Sequence, residues 1–159
     1  QPDLAEAHFY AGICRAQLHN AQGAIDGYRR AVELRPNWRA ARNNLAWLLA
    51  THPDEKLRDG AEAMTLCAAS HENERLDFAT LDTLAAAQAE VDQFSDAVAT
   101  LRRAIQLAQG KASPAVIDQM QQRLRLYESG QPYRDSDAWS QWPFLTLARA
   151  ISSIRSANI

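Results

Sequence analysis

The fold is decided by residues 5–36, which read AEAHFYAGICRAQLHNAQGAIDGYRRAVELRP. A small residue of this stretch recurs later in the chain, because Ala24 is followed by Ala63 and Ala97 at intervals of 39 and 34 residues. Fixed intervals of this length are the signature of stacked helical repeats. The stretch therefore predicts a helix pair that is repeated along the chain.

Two further tracks of small or apolar residues follow the same repeat. They are Ala11-Gly12, Leu45-Ala46 and Leu84-Ala85, and Ala31, Ser70 and Ala104. The longer interval places five additional residues in the middle unit. The segment from Thr51 to Lys56 contains Pro53 and several charges, which predict a lengthened loop between two helices.

The composition supports a helical chain with its own core. The 159 residues are 47 % hydrophobic and 23 % charged, and about thirty are alanine. Alanine is the best helix former and adds little bulk, so helices can pack closely. A net charge of −2 gives no positive field for nucleic acid, and no apolar run is long enough to insert into a membrane. We therefore predict neither nucleic-acid binding nor direct insertion into a membrane.

The tracks resemble the tetratricopeptide repeat (TPR) family, whose 34-residue unit is a helix–turn–helix. In the first unit, counted from Ala5, the family's positions are occupied by Ala11-Gly12, Ala24, Tyr28, Ala31 and Pro36. The middle unit departs from the family at Cys67 and Ser70. The resemblance implies an all-α fold, a right-handed α–α superhelix of three helix pairs, with repeats at about 5–38, 39–77 and 78–111.

Helix-end signals refine these boundaries. Asn37 and Asp77 are predicted N-caps. Ser113-Pro114 opens a seventh, solvating helix over 113–129, which Gly130 ends and which completes an array over 1–130. Its outer face is expected to be polar and to include Arg123. Gly27 inside the first unit's second helix costs about 1 kcal/mol relative to alanine.

Residues 131–159 are predicted to be a linker followed by an amphipathic helix over 144–157. That helix packs on the chain's own repeats, docks on another copy or a partner, or lies on a membrane surface. The repeat segments also resemble the C-terminal block of large bacterial TPR proteins, some of them membrane proteins with glycosyltransferase-like bodies. We expect further repeats upstream, since the chain begins at Gln1 and Pro2 matches a repeat's terminal proline.

Catalytic and metal-binding patterns are not found in the sequence. Cys14 and Cys67 lie in helical patterns and are predicted to be small core residues. The four histidines show no paired-ligand spacing, and no nucleophile–base pair or phosphate loop is present. We predict that the chain is not an enzyme and that it has no metal or other cofactor.

The resemblance implies a binding groove, lined by the inner faces of the first helix of each pair, which we call the groove face. The candidate residues are Phe9, Ile13, Asn43, Asn44, Trp47 and Asp82. The groove is expected to be apolar in its first two units and acidic toward the third. Phe9, Ile13 and Trp47 are the expected anchors; the alternative is that they are ordinary packing residues.

These observations predict a protein-interaction module that binds a peptide or a helix in its groove. One alternative is self-association through the C-terminal helix. Another is that the chain is the regulatory repeat array of a larger membrane or glycosyltransferase-like enzyme.

Overall fold

The computed structural model describes residues 2–68 and 77–135. Within these ranges the chain is all-α, with seven α-helices, one short 3-10 helix and no β-strand. The α-helices are α1 (Pro2–Gln17), α2 (Ala21–Leu34), α3 (Arg39–Thr51), α4 (Gly60–Ala68), α5 (Phe78–Glu90), α6 (Phe94–Ala108) and α7 (Pro114–Glu128). The 3-10 helix is Glu55–Leu57.

Consecutive helices pack on one another as in an α–α superhelix. The pairs α1/α2, α3/α4 and α5/α6 form the units, while α2 contacts α3, α3 and α4 contact α5, and α6 contacts α7. One apolar core spans α1 to α5, and a second spans α5 to α7. This arrangement confirms the predicted all-α class.

The predicted small residues lie where helices meet. Ala24, Ala63 and Ala97 are fully buried, as are Ala31 and Ala104. Their lack of bulk lets neighbouring backbones approach, so the alanine tracks set the helix spacing. Ser70, the middle member of the track that contains Ala31 and Ala104, lies outside the described residues.

The crossing of α1 and α2 explains the glycine that helix propensity disfavours. A Cβ on Gly27 would lie 2.9 Å from both Gly12 Cα and the His8 carbonyl oxygen. A Cβ on Gly12 would lie 2.8 Å from the Tyr28 ring. Gly27 is therefore required by a backbone-to-backbone approach that even alanine would obstruct.

The insertion in the middle unit is the predicted loop between α3 and α4. Helix α3 ends at Thr51, and the 3-10 helix follows with Asp54 as its N-cap, accepting a hydrogen bond from the Lys56 amide. The Arg58 guanidinium donates to the carbonyl oxygens of His52 and Pro53 and so ties the loop to its own ends.

Helix caps were predicted with mixed success. Asp77 caps α5 through a hydrogen bond from the Thr80 amide, as predicted. The prediction for Asn37 is wrong, because α3 begins one residue later and Trp38 is its N-cap, without a side-chain bond. At the far end, α7 starts at Pro114 after Ser113, and Gly130 takes a φ of +70°, as a glycine after a helix often does.

The two cysteines have different environments. Cys67 is buried in the first core, and this burial raises the pKa of its thiol to about 12. Cys14 is exposed, so its predicted core position is wrong.

The chain after α7 is described as far as Asp135. The predicted amphipathic helix over 144–157 lies outside the described residues. No helix of the described ranges is long and apolar enough to cross a membrane.

Candidate functional site

Five of the six predicted groove residues are buried. Phe9, Ile13, Asn43, Asn44 and Trp47 are each less than 10 % exposed, and the Asp82 side chain is 14 % exposed. Two of them, Trp47 and Asp82, are brought together by a residue that the sequence did not point to. Of the other four, Phe9 and Ile13 lie in the first core, and Asn43 and Asn44 lie on α3.

Phe9 and Ile13 belong to the first core. The Phe9 ring lies 4.5 Å from the Trp38 ring and 5.6 Å from the Tyr28 ring, measured between centroids. Because Phe9 and Ile13 are each less than 10 % exposed, a ligand could contact only a small part of either side chain. Their position favours the alternative that these two expected anchors are packing residues.

The adjacent asparagines of α3 have different neighbours. The Asn44 side chain lies close to the phenol of Tyr28 and partly offsets the rise that burial causes in the pKa of that phenol, while the Asn44 side-chain oxygen has no hydrogen-bond partner among the described residues. Asn43 lies one turn before Trp47 and so shares its face of α3. Its side-chain oxygen is buried and has no hydrogen-bond partner within the described residues. Asn43 is thus a buried acceptor on the groove face.

Arg123 of α7 joins Trp47 to Asp82. Its Nε donates to Asp82 Oδ1 at 3.0 Å and its terminal nitrogen to Asp82 Oδ2 at 2.5 Å. The guanidinium also lies over the Trp47 ring, 5.3 Å from its centroid. The prediction that Arg123 points outward is wrong, because its side chain is only 8 % exposed.

Asp82 stabilises the positive charge of Arg123. Burial by itself would lower the pKa of the guanidinium, but the charge and hydrogen bonds of Asp82 outweigh this effect and raise the pKa above its ordinary value. Burial also raises the pKa of the neighbouring Tyr127. The Tyr127 hydroxyl has no hydrogen-bond partner among the described residues. The site therefore contains a permanent cation beside a neutral phenol.

After α7 the chain turns back and crosses this cluster. We call residues 131–135 the strap. The Tyr133 ring lies 6.0 Å from the Trp47 ring and beneath Arg123, at 5.5 Å from its guanidinium carbon. Trp47 Nε1 donates to Asp135 Oδ2 at 3.0 Å, and the Asp135 amide donates to the Thr51 carbonyl at 2.9 Å. Tyr133 packs against both apolar cores.

The acidic end of the groove face is neutralised. Glu90 accepts a hydrogen bond from Arg58 Nε at 2.7 Å through Oε1. Its Oε2 lies 2.6 Å from the Arg134 guanidinium of the strap, an ion pair without the geometry of a directed hydrogen bond. Since Asp82 is also paired, the expected acidic surface becomes a set of compensated charges.

Arg123 and Tyr127 were not predicted as site residues, although the sequence contains a partial signal for their burial. Together with Met120 they are spaced by three and four residues, which places all three on one helix face. All three are buried. The strap had no such signal, since it is too short and irregular to show a period.

Among the described residues, no group of three His, Cys, Asp or Glu side chains is arranged to hold a metal ion. The arrangement of Trp47, Glu90 and Arg123 instead offers an aromatic surface, hydrogen-bond donors and paired charges. These groups can bind a polypeptide segment, and in this chain they bind the strap.

Comparison with protein-family models and with curated proteins gives no match to this chain.

Proposed function

We propose that this chain is a protein-interaction module that binds a peptide along its groove face. The observation that carries the proposal is the strap. A non-helical segment is held on α3 and α5 through an aromatic contact with Trp47, an ion pair with Glu90 and a backbone hydrogen bond to Thr51. A surface that holds one such segment has the chemistry to hold another.

Asn43 supports an additional contact on the same face. A buried amide oxygen without a partner costs free energy that a donor from a ligand would recover. Asn43 is 6 % exposed and lies one turn from Trp47. The backbone N–H of a bound peptide would supply the missing donor.

We further propose that the helix pairs form a TPR-like array. Three helix pairs with buried small residues at the repeated positions, followed by a seventh helix, support this assignment. In such an array the function is to bind a protein or peptide partner, and no reaction and no cofactor are involved.

The proposal is tested with a display library of random dodecapeptides that is selected against the immobilised full-length chain. The affinities of the selected peptides are then measured by fluorescence anisotropy. We expect Asn43→Ala to weaken their binding by about three- to tenfold, because one hydrogen bond to the peptide is lost. The control is Gln106→Ala, an exposed position of α6, which should leave the affinities unchanged.

The groove assignment is refuted if the selected peptides bind Asn43→Ala and Gln106→Ala with equal affinity and are also insensitive to substitutions in the strap. Such peptides would bind elsewhere on the chain. Circular dichroism of each variant verifies that the helices remain folded.

Self-association is the second candidate, and an observation on α1 favours it. The exposed large apolar side chains of the described residues are Leu4, Tyr10 and Leu18, all on α1 or directly after it. Exposed apolar side chains that share one helix can form a contact surface for a second copy. Light scattering of Leu4→Ser/Leu18→Ser tests this candidate: a wild-type dimer that becomes monomeric supports it, and a wild-type monomer eliminates it.

A further inference from the structure

We infer that the groove face contains a recognition site for a short peptide in which an aromatic residue is followed by a basic and then an acidic residue, and that Tyr133–Asp135 occupy this site in cis as an internal ligand. We call the residues that receive the strap the strap pocket; they are Trp47, Thr51, Glu90 and Arg123. This inference rests on the proposed function and specifies its ligand and its regulation.

Three consecutive residues of the strap contact chemically different groups of the strap pocket. Tyr133 contacts the ring of Trp47 and the guanidinium of Arg123. Arg134 faces the Glu90 carboxylate. Asp135 accepts from the indole N–H of Trp47. An aromatic, a cation and an anion in this order therefore define the side-chain pattern that the pocket selects.

The backbone of the strap is also recognised. Its anchor is the carbonyl oxygen of Thr51, which receives the Asp135 amide at 2.9 Å. Thr51 is the last residue of α3, and the final four carbonyls of a helix have no partner within the helix. The pocket thus offers a free acceptor to any chain segment that runs past the end of α3.

The pocket is built independently of the strap. Arg123 is held by two hydrogen bonds to Asp82, and Glu90 by one to Arg58. Arg58 is held in turn by the carbonyl oxygen of His52. Since each charged wall has its own structural partner, the pocket keeps its shape when the strap leaves. A preorganised site of this kind binds with a smaller entropic cost.

The strap competes with any external ligand from a short distance. It follows α7 directly after Gly130, and the Arg134 side chain is still one third exposed. A segment on a short tether acts at an effective concentration in the millimolar range, which weakens the apparent affinity of a competitor. Displacement of the strap by a partner would therefore open the groove face.

The test uses the hexapeptide QPYRDS, which copies residues 131–136, blocked at both ends and carrying a fluorophore. Its binding is measured by anisotropy to the wild-type chain and to the full-length variant Tyr133→Ser/Asp135→Ser. We expect the variant to bind the peptide at least about tenfold more tightly than wild type, because the internal competitor is removed. The control peptide QPSRSS should not bind either protein.

Matched variants locate the binding. Adding Trp47→Phe, which retains a ring but removes the indole donor, should weaken binding of QPYRDS to the opened variant by about three- to tenfold. Gln106→Ser, on the exposed side of α6, should have no effect.

Four outcomes overturn the inference: no saturable binding to an opened variant that circular dichroism shows to be folded, equal binding of QPSRSS, equal affinity for wild type and variant, or a wild-type dimer that the opened variant loses. The last would place the strap of one copy in the pocket of another. If library-selected peptides still respond to Asn43→Ala, only this inference fails. If no peptide binds the groove face, the proposed function fails as well.

Discussion

Replacing Arg123 by methionine should strongly destabilise the chain. The substitution retains an unbranched side chain but removes the charge and the hydrogen bonds that hold Asp82. The Asp82 side chain is 14 % exposed, so its carboxylate would be left buried without this partner. Breaking a buried ion pair from one side costs about 3–5 kcal/mol. The lost contact with the Trp47 ring adds about 1 kcal/mol.

The assay is equilibrium unfolding in urea, followed by circular dichroism. The two losses together amount to about 4–6 kcal/mol, so with a slope of about 2 kcal/mol per molar urea the midpoint should fall by roughly 2–3 M. The matched control is Arg102→Met. Arg102 also forms a short ion pair, with Glu128 at 2.8 Å, but its side chain is 62 % exposed. Its loss should cost less than about 1 kcal/mol.

The double variant Arg123→Met/Asp82→Leu completes the cycle. With both charges removed, neither Arg123 nor Asp82 is left as an unpaired ion. Its cost should be smaller than the sum of the two single costs by at least about 2 kcal/mol. The reasoning is refuted if Arg123→Met costs no more than Arg102→Met, or if the two single costs simply add.

Three further predictions concern packing and the thiols. Gly27→Ala should lower the free energy of unfolding in urea by about 1–3 kcal/mol, because its Cβ meets backbone atoms. Gly23→Ala in the same helix meets only side-chain atoms and should cost clearly less; equal costs would contradict the explanation. In the native protein Ellman's reagent should label Cys14 rapidly and Cys67 only after unfolding, and two fast thiols would refute the assigned burial. Above pH 9 the unfolded Cys67 ionises while the folded thiol does not, so stability should fall by up to about 1.4 kcal/mol per pH unit toward pH 12. Cys67→Ala should show a shallower fall, and an unchanged slope would contradict this cause.

The helices were predictable because their signals are local or periodic. The small residues at positions 24, 63 and 97 mark helix contacts, since only a small side chain allows close approach at such a crossing. Asp77 marks the start of α5 because its own side chain accepts a hydrogen bond from the Thr80 amide in the first turn. Asn37 is of a residue type that often caps helices, but α3 begins one residue later than this signal predicts, with Trp38 as its N-cap.

The candidate site was predictable only in part. Trp47 and Asp82 were named through the resemblance to the TPR family, whereas Arg123 was assigned to a polar surface because of its charge. Its actual environment depends on a carboxylate 41 residues away in the chain. Charge alone predicts exposure, but a buried partner reverses that expectation.

The sequence by itself determined the all-α class, the repeated helix pairs and the seventh helix, because close helix packing requires small residues at regular positions. Only the tertiary structure decided which part of the groove face is covered. The strap meets Trp47 across a separation of 88 residues. No local pattern records such a contact, because it depends on the path that the chain takes after Gly130 and on the neighbours that α3, α5 and α7 bring together.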